Sequence, residues 1–259
     1  MTMTMTGGDL ALYRQSAAEQ KRIGDLLKLL PKHGAKVLDV GARDGYISIL
    51  LTQVFDTVTA LDLQMPQIDH PKVNCVKGNI TALEFPDNYF DAVLCAEVLE
   101  HLPPTMLATA CAELWRVAKN LVVIGVPYKQ DTRVGRTTCY TCGEKNPPWG
   151  HLNEFDENRL RTLFPELSDE TTTYIGATSE NTNAISSYFM DLAGNPYGTY
   201  GQDESCVHCG AKLKPPPARS FAQKVFTKIA VLAKAAGSNA SSVHANWIHI
   251  AFRKRPAAP

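Results

Sequence analysis

VLDVGARDG, residues 37–45, decides how this chain folds: a short β-type run enters a glycine-punctuated turn, and YISILLTQVF (46–55) follows with helical spacing. Glycine lets a backbone come close to a ligand, and the start of a helix offers free N–H groups with a favourable dipole. Outward from this point the pattern alternates. VTALDL (58–63), VNCVKGNI (73–80), DAVLCAE (91–97) and LVVIGVP (121–127) read as strands, and PTMLATACAELWRVAK (104–119) reads as a helix. Strands separated by helical segments of this length pair in parallel through right-handed crossovers. The predicted class is therefore α/β, with a doubly wound, Rossmann-like sheet.

Before the sheet, Leu10, Leu12, Tyr13, Ala17, Ile23, Leu26, Leu27 and Leu30 recur at helical spacing up to Pro31. After Pro127 regularity breaks. Residues 128–150 and 179–217 are polar, rich in Gly, Pro and Thr, and read as insertions forming a cap on one domain spanning residues 1–259. Between them a helix is predicted to start at Asp156, followed by a strand in DETTTYIGA (169–177). In SFAQKVFTKIAVLAKAA (220–236), Phe221, Val225, Ile229 and Leu232 share one face, away from most of Lys224, Lys228 and Lys234. That helix reads as core-facing with a solvated lysine side, or as one lying on a membrane surface. WIHIAFRK (247–254) reads as a closing strand.

The 259 residues carry 26 Lys plus Arg and 26 Asp plus Glu. This neutral balance argues against nucleic acid as partner. The start is too polar for a signal peptide and no apolar run reaches a membrane span, so the expected location is the cytoplasm. Seven cysteines, an odd number with Cys75, Cys95 and Cys111 in apolar runs, do not suit a secreted disulfide framework.

Asp62 lies 23 positions after Asp39, at the end of the next strand, where a carboxylate can accept both hydroxyls of a ribose. The glycine loop alone would also suit nicotinamide or flavin. With Asp62, KGNI (77–80), FPDNYFDAVLCAEVLEHL (85–102) and ELWRVAKNLVVIGVPY (113–128) in order, the chain resembles the class I S-adenosylmethionine-dependent methyltransferases. The resemblance runs from about residue 10 to 127, with a weaker tail to 253, and implies a seven-stranded sheet and S-adenosyl-L-methionine as cofactor. DVGARDG matches the family's D-x-G-x-G-x-G loop except that Arg43 replaces the middle glycine. By resemblance the cofactor set is Asp39, Gly41, Ala42, Arg43, Gly45, Asp62, Leu63, Asn79, Ile80 and Cys95, with Asp62 on the ribose and Asn79 and Ile80 at the adenine.

Within CAEVLEHL (95–102), Glu97, Glu100 and His101 stand at i, i+3 and i+4, which on a helical turn would bring all three to one point. Two carboxylates there repel unless a cation or proton lies between them. The segment is similar to that of the ubiquinone-pathway O-methyltransferases and the Hen-type small-RNA 2′-O-methyltransferases. That likeness implies Glu97, Glu100, His101 and His151 as ligands of a divalent cation, magnesium by analogy, with His101, His151 or Glu154 as proton acceptor. The bland reading is that Glu100 and His101 cap or brace a helix. A cation could acidify one hydroxyl of a diol and orient its neighbour, so the expected acceptor is a small polar diol. A carbohydrate is favoured by Trp149, Tyr197 and Tyr200, which could stack on a sugar or pack locally.

CYTCG (139–143) and SCVHCG (205–210) each have the shape of a zinc knuckle. Together Cys139, Cys142, Cys206 and Cys209 suggest structural zinc. Against it, 63 residues lie between Cys142 and Cys206, more than in a compact ribbon, and the alternatives are reduced thiols or adventitious disulfides.

Overall fold

The computed structural model describes residues 13–164, 169–237 and 243–254; Leu10 and Leu12 lie outside them. It divides into two compact units. One contains Ala17–Tyr128, Phe155–Gly176 and the segment from Ala245; the other contains Lys129–Glu154 and Ala177–His244. The second unit thus takes in residues on both sides of Pro217, and each unit has its own architecture.

The first unit is built on a seven-stranded sheet in the order β3-β2-β1-β4-β5-β9-β8. Its strands are β1 (Gly34–Val40), β2 (Phe55–Asp62), β3 (Val73–Lys77), β4 (Phe90–Ala96), β5 (Ala118–Pro127), β8 (Asp169–Ile175) and β9 (Trp247–Arg253). The first five pair in parallel, as the strand–helix alternation predicts. β9 inserts antiparallel between β5 and β8.

Alternating strand residues feed two apolar layers. Leu38, Val40, Val93 and Cys95 pack with Leu107, Ala110, Cys111 and Leu114 of α3 (Leu107–Val117) and Leu160 of α4 (Glu157–Leu163). Val37, Ala92 and Leu94 pack with Leu26 and Leu29 of α1 (Ala17–Leu29) and Leu51 of α2 (Tyr46–Leu51). Each fully buried side chain of this size stabilises by roughly 1.5–3 kcal/mol. α4 starts where predicted, with the Asp156 carboxylate accepting from Arg159 N at 2.8 Å. α2 is shorter than the sequence pattern suggests, and Ala118 and Lys119 belong to β5 rather than to α3.

The second unit holds the two-stranded ribbon of β6 (Thr137–Thr138) and β7 (Lys145–Asn146), then α5 (Ala184–Leu192) and α6 (Phe221–Ala236). α6 begins with a full capping box between Ser220 and Gln223. Its predicted core face is not the buried one. Phe221 and Leu232 are 83% and 69% exposed, while Thr227 and Ala230 are buried, and α5 is the helix it packs against. No described helix is long and apolar enough to cross a membrane.

Candidate active site

Register sets the site. Val40 of β1 stands beside Leu61 of β2 and Cys95 of β4, so Gly41, Asp62 and the segment after Ala96 all leave the same sheet edge. Open α/β sheets bind ligands at this carboxyl edge. The glycine loop is tied to β2 by Gly41 N and Ala42 N, which donate to Leu61 O at 2.8 and 3.1 Å. Asp62 Oδ2 accepts from Arg43 N at 3.0 Å, and its Oδ1 from Gln64 N at 3.3 Å. Arg43 has φ +46, so the residue replacing the family's middle glycine still takes the left-handed conformation that glycine favours. Asp39 is buried and accepts from Ser48 Oγ of α2 at 2.5 Å, fixing helix to strand.

Gly41 has φ +79, and a Cβ there would sit 2.3 Å from Val98 Cγ2. Gly41→Ala is therefore expected to cost about 1–3 kcal/mol in urea unfolding. Gly24→Ala, inside α1 with no atom within 4 Å of the added carbon, is expected to stabilise by about 0.5–1 kcal/mol. Equal signs for the two would refute the left-handed loop.

The remaining cofactor candidates divide. Leu63 is exposed at the sheet edge, whereas Ile80 and Cys95 are sealed in the core. Asn79 turns its Oδ1 to Thr81, accepting from N at 3.0 Å and Oγ1 at 2.9 Å. Burial pushes the Cys95 thiol well up, with further contributions from Cys111, Glu100 and Asp39.

The helical convergence of Glu97, Glu100 and His101 does not form. Glu97 has φ +57, and the turn after it, Leu99–His101, is a 3₁₀ helix. Glu97 is therefore not among the donor atoms that gather around Glu100 and His101. Glu97 Oε2 accepts from Trp247 Nε1 at 3.2 Å, and its Oε1 lies 3.8 Å from Arg22 Nη1. Arg22 in turn holds Glu19 through two bonds of 2.8 and 2.9 Å. Sequence reasoning missed Arg22 and Trp247. The signal was present, since Glu19 and Arg22 share the stripe of Ile23 and Leu26 and so are charges on a core-facing side.

Glu100 and His101 do come together, with a carboxylate oxygen and a ring nitrogen within 4.8 Å. Glu100 is fully buried, and neither of its oxygens has a hydrogen-bond partner among the described residues. Burial holds its carboxyl well above the ordinary range, and the Glu97 charge adds to this. Burial also lowers His101, helped by the Arg43 guanidinium, and so favours a neutral imidazole.

In the second unit, His151 is buried with Nδ1 2.6 Å from Gln130 Oε1, and Glu154 Oε1 accepts from Thr132 Oγ1 at 3.0 Å. Of the aromatic residues considered for stacking, Tyr200 is buried beside Cys139, Cys206 and Leu213, so it is a packing residue. Tyr197 is exposed. The four paired cysteines gather in one cluster.

A family model described as a methyltransferase domain matches residues 38–124. A ubiquinone biosynthesis O-methyltransferase of Xylella fastidiosa is 33% identical over 113 residues, covering 39% of this chain and 46% of that protein. The chain thus matches less than half the length of this relative. An S-adenosylmethionine-dependent methyltransferase from Archaeoglobus fulgidus superposes with TM-score 0.54 at 16% identity, covering 95% of this chain and 99% of that one. A Burkholderia thailandensis 1,6-didemethyltoxoflavin-N1-methyltransferase gives 0.53 at 16%, covering 96% and 83%. The family match identifies residues 38–124 as a methyltransferase domain, and the strand order, with the glycine loop and Asp62 at one sheet edge, is the fold of the S-adenosylmethionine-dependent methyltransferases.

Proposed function

We propose that this chain transfers a methyl group to an oxygen of a small polar acceptor with two adjacent hydroxyls, using a divalent cation held at Glu100 and His101. Glu100 carries the reading: a carboxylate sealed from solvent, with both oxygens unpartnered, lies beside a ring nitrogen of His101. An uncompensated buried carboxylate is costly, and a cation lets it stay ionised. Oxygen and imidazole donors suit manganese, iron or zinc as well as magnesium, which rests on family likeness alone. Likeness to a ubiquinone biosynthesis O-methyltransferase over 113 residues supports oxygen as the acceptor atom.

When bound, S-adenosylmethionine supplies an electrophilic methyl, and a divalent ion supplies acidity and a template for the two oxygens. The chain's residues orient both. Asp62, gripped by the N–H groups of Arg43 and Gln64, is set to accept the ribose hydroxyls. His101, kept neutral, can offer a lone pair to the ion. Glu97, held by Arg22 and Trp247, supplies nearby negative charge rather than a ligand. His151 and Glu154 enter from their sequence positions alone, as a fourth donor and a proton acceptor.

Catechols and sugar diols are the acceptor classes to test. Protein stripped with EDTA is expected to form no S-adenosylhomocysteine on this panel and to recover when one divalent ion is restored. Full turnover after chelation would remove the cation and leave His151 as general base. Failure to bind S-adenosylmethionine in calorimetry would remove methyl transfer itself.

A further inference from the structure

Two stretches of chain 63 residues apart fold into the same turn and face each other. In the first, Gly143 N donates to Cys139 O at 2.8 Å, and Cys139 N donates to Glu144 O at 2.8 Å. In the second, Gly210 N donates to Cys206 O at 2.8 Å, and Cys206 N donates to Ala211 O at 2.9 Å. Gly143 and Gly210 have φ +82 and +70, the left-handed conformation that closes such a turn.

The sulfurs are matched too. Cys139 accepts from the backbone N–H groups of Thr141 and Cys142, and Cys206 from those of His208 and Cys209. Cys142 accepts from Glu144 N–H and Cys209 from Ala211 N–H. Backbone N–H groups near each sulfur thus favour its thiolate form, the outer-shell support that metal-bound cysteines use.

Across the two turns, Cys139 Sγ lies 3.7 Å from Cys209 Sγ, and Cys142 Sγ lies 3.7 Å from Cys206 Sγ. All four sulfurs fall within 4.8 Å of one another. Disulfides require about 2.05 Å, so the four stand as separate thiols. A tetrahedron with zinc–sulfur arms of about 2.3 Å has edges of about 3.8 Å, which matches both cross-turn distances. Around the sulfurs the apolar packing is thin: Cys139 and Cys206 themselves, Tyr200 and Leu213, with Ala211 against them. Small cores of this kind are commonly completed by a structural metal.

We infer that Cys139, Cys142, Cys206 and Cys209 bind one zinc ion, which clamps Lys129–Glu154 to Ala177–His244. Binding displaces the thiol protons to solvent and involves no redox change. Four protein ligands close the coordination sphere, so the ion is structural and separate in kind from a catalytic cation.

Protein purified without chelator is expected to contain about one zinc per chain by elemental analysis. A thiol-reactive mercurial should release it stoichiometrically. Cobalt exchanged into the wild-type protein should give thiolate charge-transfer bands and the visible bands of a tetrahedral ion. Cys206→Ser is expected to lose the zinc and open the unit to protease while S-adenosylhomocysteine still binds. Glu100→Gln is expected to keep the zinc, which separates this site from the proposed catalytic ion. Substoichiometric zinc, with all four thiols reacting at once in the native protein, overturns the inference. An oxygen-ligand cobalt spectrum, or iron as the native metal, overturns it as well.

Discussion

Glu100→Gln is expected to reduce kcat on the diol acceptor by on the order of 10²–10³-fold while leaving the fold intact. Glutamine keeps the shape of a side chain that is fully buried but removes its charge, and among the described residues no partner loses a hydrogen bond to either Glu100 oxygen. Stability in chelator should therefore change little. The decisive readout is linkage. Wild-type protein should melt higher as divalent ion is added, by about 2.7 kcal/mol at a hundredfold excess over Kd, and the variant should not. A Glu100 that merely braced the 3₁₀ turn would leave the response to the ion in place and take kcat and stability down together.

Arg22→Met carries the largest expected loss of stability. The guanidinium sits between fully buried Glu19, at 2.8 Å, and Glu97, at 3.8 Å. Removing one member of a buried ion network strands charge in a low-dielectric interior and costs about 3–5 kcal/mol. At about 2–4 °C per kcal/mol for a domain of this size, the melting midpoint should fall by on the order of 10 °C. Glu19→Gln added to Arg22→Met should recover much of the loss, since the stranded carboxylate is then gone. An unchanged midpoint in the single variant would mean that the network contributes no net stability.

The two variants probe features of unequal visibility in the sequence. The parallel half of the sheet could be read because β1, β2, β4 and β5 are apolar runs, with helical periods between β1 and β2 and between β4 and β5, and register then brings Gly41, Asp62 and the segment after Ala96 to one edge. The fate of Glu97 could not be read so. Its spacing to Glu100 suits an α-turn, and only the left-handed φ at Glu97 and the 3₁₀ turn after it send its carboxylate to Arg22 and Trp247, the latter 150 residues away. α6 misleads for a different reason. Periodicity marks its large apolar stripe as the inner face, yet the buried residues are Thr227 and Ala230, and next to them the Phe226 ring meets Phe189 of α5 at 6.0 Å. Size and polarity predict which residues prefer burial; they do not predict which face a neighbouring helix will take.

The position of β9 has a consequence for how the chain is made. Among the described strands β8 pairs with β9 alone, and β9, which comes latest of them in chain order, fills the gap beside β5. While the protein emerges from the ribosome, β5 presents an open edge and β8 has no sheet to join until residues 247–253 clear the exit tunnel. Exposed strand edges of this kind template aggregation. Nascent chains stalled before Trp247 are thus expected to aggregate more readily than the full-length chain.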